Sequence, residues 1–111
     1  MSNAQFTVRL TRAADRDIDE ILDYALETRS SVEAAQLIGD LLDKTLSLAE
    51  FPDRGSKPME LASVGEHRYR QLKYHQYRII YRRIDRVVFI YLIADGRRDM
   101  LTLLDQRLTA D

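Results

Sequence analysis

The segment Tyr77–Asp99, YRIIYRRIDRVVFIYLIADGRRD, decides how the rest of the chain is read. Tyrosine, isoleucine, valine and phenylalanine dominate it, and these residues suit a pleated, half-buried surface. Two runs, Tyr77 to Ile84 and Val87 to Ala94, flank the turn-forming pair Asp85-Arg86 and predict a hairpin. The second run is the more apolar, which predicts a central strand covered on both faces. In the first, Tyr77, Ile79 and Tyr81 share one side and Arg78, Ile80 and Arg82 the other. The tyrosine side belongs to a core. Four arginines precede Gly96 and two follow it, so the tract also raises a question. Its basic face could hold a polyanion, act on one chemically, or simply be the solvated side of a sheet.

Outward from this tract, Arg68 to His75 reads as a third strand, joined to the second by a His75-Gln76 turn. Asp95-Gly96 reads as a further turn in which glycine accepts a positive φ. Leu101, Leu103, Leu104 and Leu108 predict a short edge strand or a terminal helix. Upstream, FPDRGSKP at Phe51–Pro58 ends a helical region, because proline and glycine cannot continue it. That region holds two stripes at helical spacing. Ala14, Ile18, Ile21, Leu22 and Ala25 predict a helix over 12–28, capped by Thr11 and acidic in its first turns. Ile38, Leu41, Leu42, Leu46 and Ala49 predict a second from a Ser31 cap to about Glu50. The short link between them predicts an antiparallel helical hairpin. Phe6–Thr11 alternates apolar and polar residues as a first strand would, and must pair beside a later strand. The fold class expected is α+β. A largely antiparallel sheet of four or five strands packs on an N-terminal helical hairpin, in the order β-α-α-β-β-β.

Composition bounds the function. A chain of 111 residues has room for one core, expected over 6–111, with residues 1–5 set aside as a loose or tag-derived start. An apolar share of 45% and a charged share of 32% describe an ordinary globular protein. No apolar run approaches the ~20 residues that cross a bilayer, and no cysteine is present. A cytoplasmic protein without membrane partners, disulfides or cofactors is the expectation. The net charge of −1 hides an asymmetry: residues 1–50 sum to −5 and residues 51–111 to +4. Such a two-sided field steers oppositely charged partners towards the basic half.

LAEFPDRG at Leu48–Gly55, followed by RQLKYHQYRIIYRRIDRVVFIYLIADGRRD at Arg70–Asp99, resembles the ParE/RelE superfamily of type II toxin–antitoxin toxins. The resemblance runs from the opening strand to about Leu104. It implies a small sheet packed on a helical hairpin, restrained by a cognate ParD-like antitoxin in a possible toxin–antitoxin hetero-oligomer. ParE-like members act against DNA gyrase; RelE-like members cut mRNA on the ribosome. Cutting RNA requires groups that accept and donate protons as well as groups that hold phosphate charge. Arg78 and Arg98 match the family's arginines, and Lys73 stands near its lysines. The lysine positions themselves hold Tyr69 and Gln71, and Leu104 stands where a tyrosine would follow Arg98. Leucine transfers no proton. The residues therefore favour a ParE-like binder, with no catalytic set beyond Lys73, Arg78 and Arg98 in the ribonuclease alternative. A family member that only binds antitoxin is the third reading.

The expected target- or partner-binding residues are Arg78, Arg82, Arg83, Arg97 and Arg98. His67 and His75, eight apart, have no ligand spacing and read as surface histidines, so no metal site is expected. Asp15, Asp17, Asp19, Glu20 and Asp23 read as one solvated helix face. Asp95 and Asp99 read as residues that orient Arg97 or Arg98, and Asp53-Arg54 as a turn.

Overall fold

The computed structural model describes residues 6–109, so the start expected to be loose lies outside the described residues. Thr11 makes the first corner. Its hydroxyl accepts from the Ala14 amide at 3.2 Å and donates to the Ile90 carbonyl at 2.9 Å. One side chain thereby caps helix α1 (Arg12–Thr28) and ties it to strand β4 (Val87–Asp95). Strand β1 (Thr7–Leu10) accordingly lies parallel to β4, while β3 (Tyr77–Ile84) and β2 (Arg70–Tyr74) follow antiparallel. The sheet has four strands in the order β1-β4-β3-β2.

Helix α2 (Ser31–Leu46) is capped by Ser30, one residue before the expected Ser31. The reason is Glu33: its carboxylate accepts from the Ser30 amide while the Ser30 hydroxyl accepts from the Glu33 amide, a reciprocal box that requires a spacing of three. The helix gives way to a 3₁₀ turn at Ser47–Ala49. Beyond Pro58 comes a four-residue helix the sequence pattern does not suggest, α3 (Met59–Ala62), and the chain closes with α4 (Met100–Thr109), the helical one of the two expected endings.

Hydrophobic residues fill both faces of the sheet. On the first, α1 and α2 bury Ala14, Ala25, Leu37 and Leu41 against Ile79, Tyr81, Val88, Ile90 and Ile93. On the second, Met100 and Leu104 of α4 cover Tyr69, Ile80, Leu92 and Ala94. β4 serves both cores by alternation, and its pairing shifts on the way: Ile80 opposes Leu92, yet Tyr81 opposes Ile90, leaving Tyr91 as an extra residue. Past that bulge the alternation reverses, and Ile93 joins Val88 and Ile90 on the first face.

Asp17 is a correction to the reading of one solvated acidic face. It is buried, and its carboxylate accepts from the Ile93 amide at 2.9 Å and from both terminal nitrogens of Arg107 at 2.7 and 2.9 Å. Arg107 also donates to the Tyr91 carbonyl at 2.7 Å. The pair thus satisfies backbone groups where β4 runs past the end of β1, an edge that would otherwise be open. It also fastens α4 to α1.

Candidate functional site: the arginines of the sheet

The five arginines expected to bind a target or partner have distinct surroundings. Arg78 stands apart from the row expected with Arg82. Its side chain is 12% exposed and makes a two-pronged bond to the Glu60 carboxylate of α3, at 2.7 and 2.8 Å. Its Nε donates to the Gln71 side-chain oxygen at 2.7 Å. The Arg78 guanidinium in turn holds the Glu60 carboxyl down at about 2, well below the usual carboxylate range. Gly96 belongs to this arrangement. The expected positive φ is not what requires glycine there, since Gly65 is the described glycine that adopts one. A Cβ at position 96 would lie 2.6 Å from Cδ of Arg78 and 2.9 Å from its Cγ. The glycine makes room for the arginine stem.

Arg82 remains on the same face but stacks over the Tyr69 ring at 5.9 Å, with Arg68 also 5.9 Å from that ring and Tyr91 edge-on to it at 5.4 Å. Tyr69 precedes β2 and is part of the second core, outside the strand expected to contain it. Arg83 turns to the other face, 3.5 Å from Asp53 and over the Phe6 ring. Arg97 is held by Asp95, whose carboxylate accepts from both its Nε and its terminal nitrogen. That contact lowers the Asp95 pKa and raises that of Arg97. Asp99 instead caps α4, accepting from the Thr102 amide at 3.2 Å and its hydroxyl at 2.7 Å. Arg98 is exposed and pairs with no carboxylate among the described residues.

Arg97 and Arg98 line a cleft of about 610 Å³ between the second half of α1 and the ends of β3 and β4. Tyr24 of α1 and Arg29, just past its end, face them, and Tyr77 lines the cleft from β3. Lys73 lies elsewhere, exposed on the edge strand β2 and directly across the ladder from Arg78. Leu104, six residues beyond Arg98, is 1% exposed in the second core. Gln71 accepts from Arg78 instead of facing solvent. His67 and His75 are exposed, His75 sitting edge-on to Tyr74 in a turn at φ 51°. Among the described residues no three His, Asp or Glu side chains converge as metal ligands, and no helix is long and apolar enough to cross a membrane. The sequence reading missed Glu60, because the partner of Arg78 comes from a helix with no amphipathic pattern of its own.

A helical hairpin on one face of a β1-β4-β3-β2 sheet and a short helix over part of the other make a small α+β domain with arginines along its strands and turns. The chain belongs to the family described as the ParE toxin of type II toxin–antitoxin systems, parDE, whose model matches residues 8–100. Among solved structures, the chromosomal ParDE toxin–antitoxin system of P. aeruginosa superposes with a TM-score of 0.70 at 19% identity, over 83% of this chain and 97% of that one. The RelBE2 toxin–antitoxin complex of Mycobacterium tuberculosis gives 0.61 at 20% identity, over 85% and 94%. At such identities the likeness concerns the fold. No curated protein matches the sequence. The chain is thus a ParE/RelE-superfamily toxin.

Proposed function

We propose that this toxin acts as ParE-like members do, inhibiting DNA gyrase in the cytoplasm by binding and without covalent chemistry, and that a ParD-like antitoxin neutralises it. One observation carries the choice: the position that would donate a proton in a ribonuclease is Leu104, sealed in the second core. Arg78, which would hold a phosphate, is committed to Glu60. What is left outward is positive charge, while the position that the resemblance assigns to the proton donor holds a side chain unable to act. Arg98, Arg97 and Arg82 form the polar part of the target surface, with Arg83 at its far end. Arg78 supports this surface from within.

The partner is an antitoxin chain that lays apolar residues into the toxin's grooves and carboxylates near Arg97 and Arg98. The 610 Å³ cleft combines those arginines with Tyr24, which is 65% exposed. Association should slow as salt rises from low to moderate concentration, because steering by such charges is screened. An on-rate indifferent to salt would contradict the charged contact.

Expression without antitoxin separates the readings. Growth arrest with an SOS response and intact transcripts supports gyrase as the target. Ribosome-dependent cleavage of mRNA, lost in Arg98→Ala, would replace this reading with the ribonuclease. Normal growth with normal DNA topology would mean a chain that only binds its antitoxin.

A further inference from the structure

The second face of the sheet is covered by α4 over only part of its area. Met100 and Leu104 sit against Ile80, Leu92 and Ala94, towards one end of β3 and β4. At the opposite end the cross-strand register sets a row whose ring, the half-buried Phe89, belongs to neither hydrophobic core. Arg9 of β1 is the partner of Phe89 in β4, and Phe89 is the partner of Arg82 in β3. Val8, Leu10, Val88, Ile90 and Tyr81 all pack in the first core, so the alternation of strands puts Arg9, Phe89 and Arg82 together on the second face. Tyr69 lies beyond Arg82, with the half-buried Tyr91 against it. The Cα atoms of Arg9 and Arg82 stand on either side of Phe89, about 10 Å apart, two strand spacings, and the Arg82 guanidinium lies over the Tyr69 ring. Among the described residues neither Arg9 nor Arg82 pairs with a carboxylate. Arg68 adds a third guanidinium, already paired with Glu66.

The charge asymmetry of the sequence has a spatial meaning here. Asp15, Asp19, Glu20, Asp23 and Glu27 are all on α1, in the helical layer behind the first face. On the second face Glu60 and Glu66 are taken up by Arg78 and Arg68, which leaves Arg9 and Arg82 without a carboxylate partner among the described residues. A polyanion is repelled from one side of the molecule and drawn to the other.

From this row we propose a second binding surface, one for single-stranded nucleic acid, with Arg9 and Arg82 on phosphates and Phe89 and Tyr91 as stacking partners for bases. An open sheet carrying aromatic rings between guanidiniums suits unpaired bases of any sequence, since each base has a π-face. A carboxylate-rich protein segment would meet the same charges but would make no use of rings interleaved with them. The surface shares Arg82 with the proposed target surface but lies apart from the Arg97–Arg98 cleft, and it does not depend on gyrase being the target.

The test is fluorescence anisotropy with the full chain and labelled oligothymidylate or oligouridylate of about a dozen nucleotides, within the site sizes common for sheet platforms. Saturable binding to either is expected, its logarithmic salt slope about −0.7 for each phosphate neutralised. A preference between the two strands identifies the source as DNA or RNA. Arg9→Glu should weaken binding about tenfold and flatten that slope. Arg9 is exposed and packs on nothing named above, so this variant tests the surface without loosening the core. Arg16→Glu, on exposed α1, makes the same change in net charge and should alter affinity less than about twofold. Phe89→Ala should weaken binding about fivefold or more with the slope unchanged. Equal losses from Arg9→Glu and Arg16→Glu, equal affinity for duplex of the same length, or no saturation with either strand would overturn the proposal. So would polyglutamate binding as tightly and losing affinity in the same variants, which would assign the face to an acidic protein partner.

Discussion

Replacing Glu60 by glutamine isolates the contact that holds Arg78. The side chains are nearly isosteric, but the variant has one acceptor oxygen and turns an amide N–H₂ towards a guanidinium that only donates. A folded-state pKa of about 2 against the ordinary 4.5 corresponds to about 3 kcal/mol. Glu60 is 25% exposed, so solvent screening reduces this to about 2 kcal/mol, within the range for hydrogen bonds to charged groups. In a domain of this size a loss of about 2 kcal/mol lowers the melting temperature by roughly 8 °C or more. The pH dependence carries the sign. Because the folded pKa is depressed, the contribution is complete above the unfolded value of 4.5 and is lost as pH falls towards about 2. The gap in urea stability between parent and Glu60→Gln should be full near pH 7 and less than about half that at about pH 3. Taking the difference between two proteins removes the titration of every other carboxyl. Equal stability near neutrality, or a gap that ignores pH, would refute the structural role assigned to this pair.

Gly96→Ala should destabilise by about 1–3 kcal/mol, since its Cβ must displace the Arg78 stem, 2.6 Å away. Combined with Glu60→Gln the two losses should fall short of additive in a double-mutant cycle, because both act on one guanidinium. Ser30→Ala should cost about 1 kcal/mol by thermal denaturation and Ser31→Ala much less, which distinguishes the cap from its neighbour. Arg107→Met should cost about 3 kcal/mol by leaving the buried Asp17 carboxylate with only the Ile93 amide. Faster hydrogen exchange at Ile93 would accompany it, and an unchanged exchange rate would contradict the clamp.

Much of the architecture could be read before any coordinates. The period-two runs of β3 and the period-3.6 stripe of α1 are local patterns that each element carries in its own residues. Tyr77, Ile79 and Tyr81 fell on the core side as expected, and α1 begins and ends at Arg12 and Thr28. The position of Leu104 also argued against proton transfer without knowledge of its burial. The bulge at Tyr91 was hidden, because an extra residue in an apolar strand leaves the composition unchanged while reversing which side chains face which core.

The sequence alone determined the kinds of element, their order and the presence of a basic tract, since these depend on residues close together along the chain. Tertiary structure decided which arginines are available. Glu60 is 18 residues from Arg78 and Asp17 is 90 from Arg107, yet each carboxylate satisfies its guanidinium at hydrogen-bonding distance. A charge in a sequence is a capacity for pairing; only the fold brings up the counter-charge that uses it, or, as at Arg9, Arg82 and Arg98, leaves the cation facing outward.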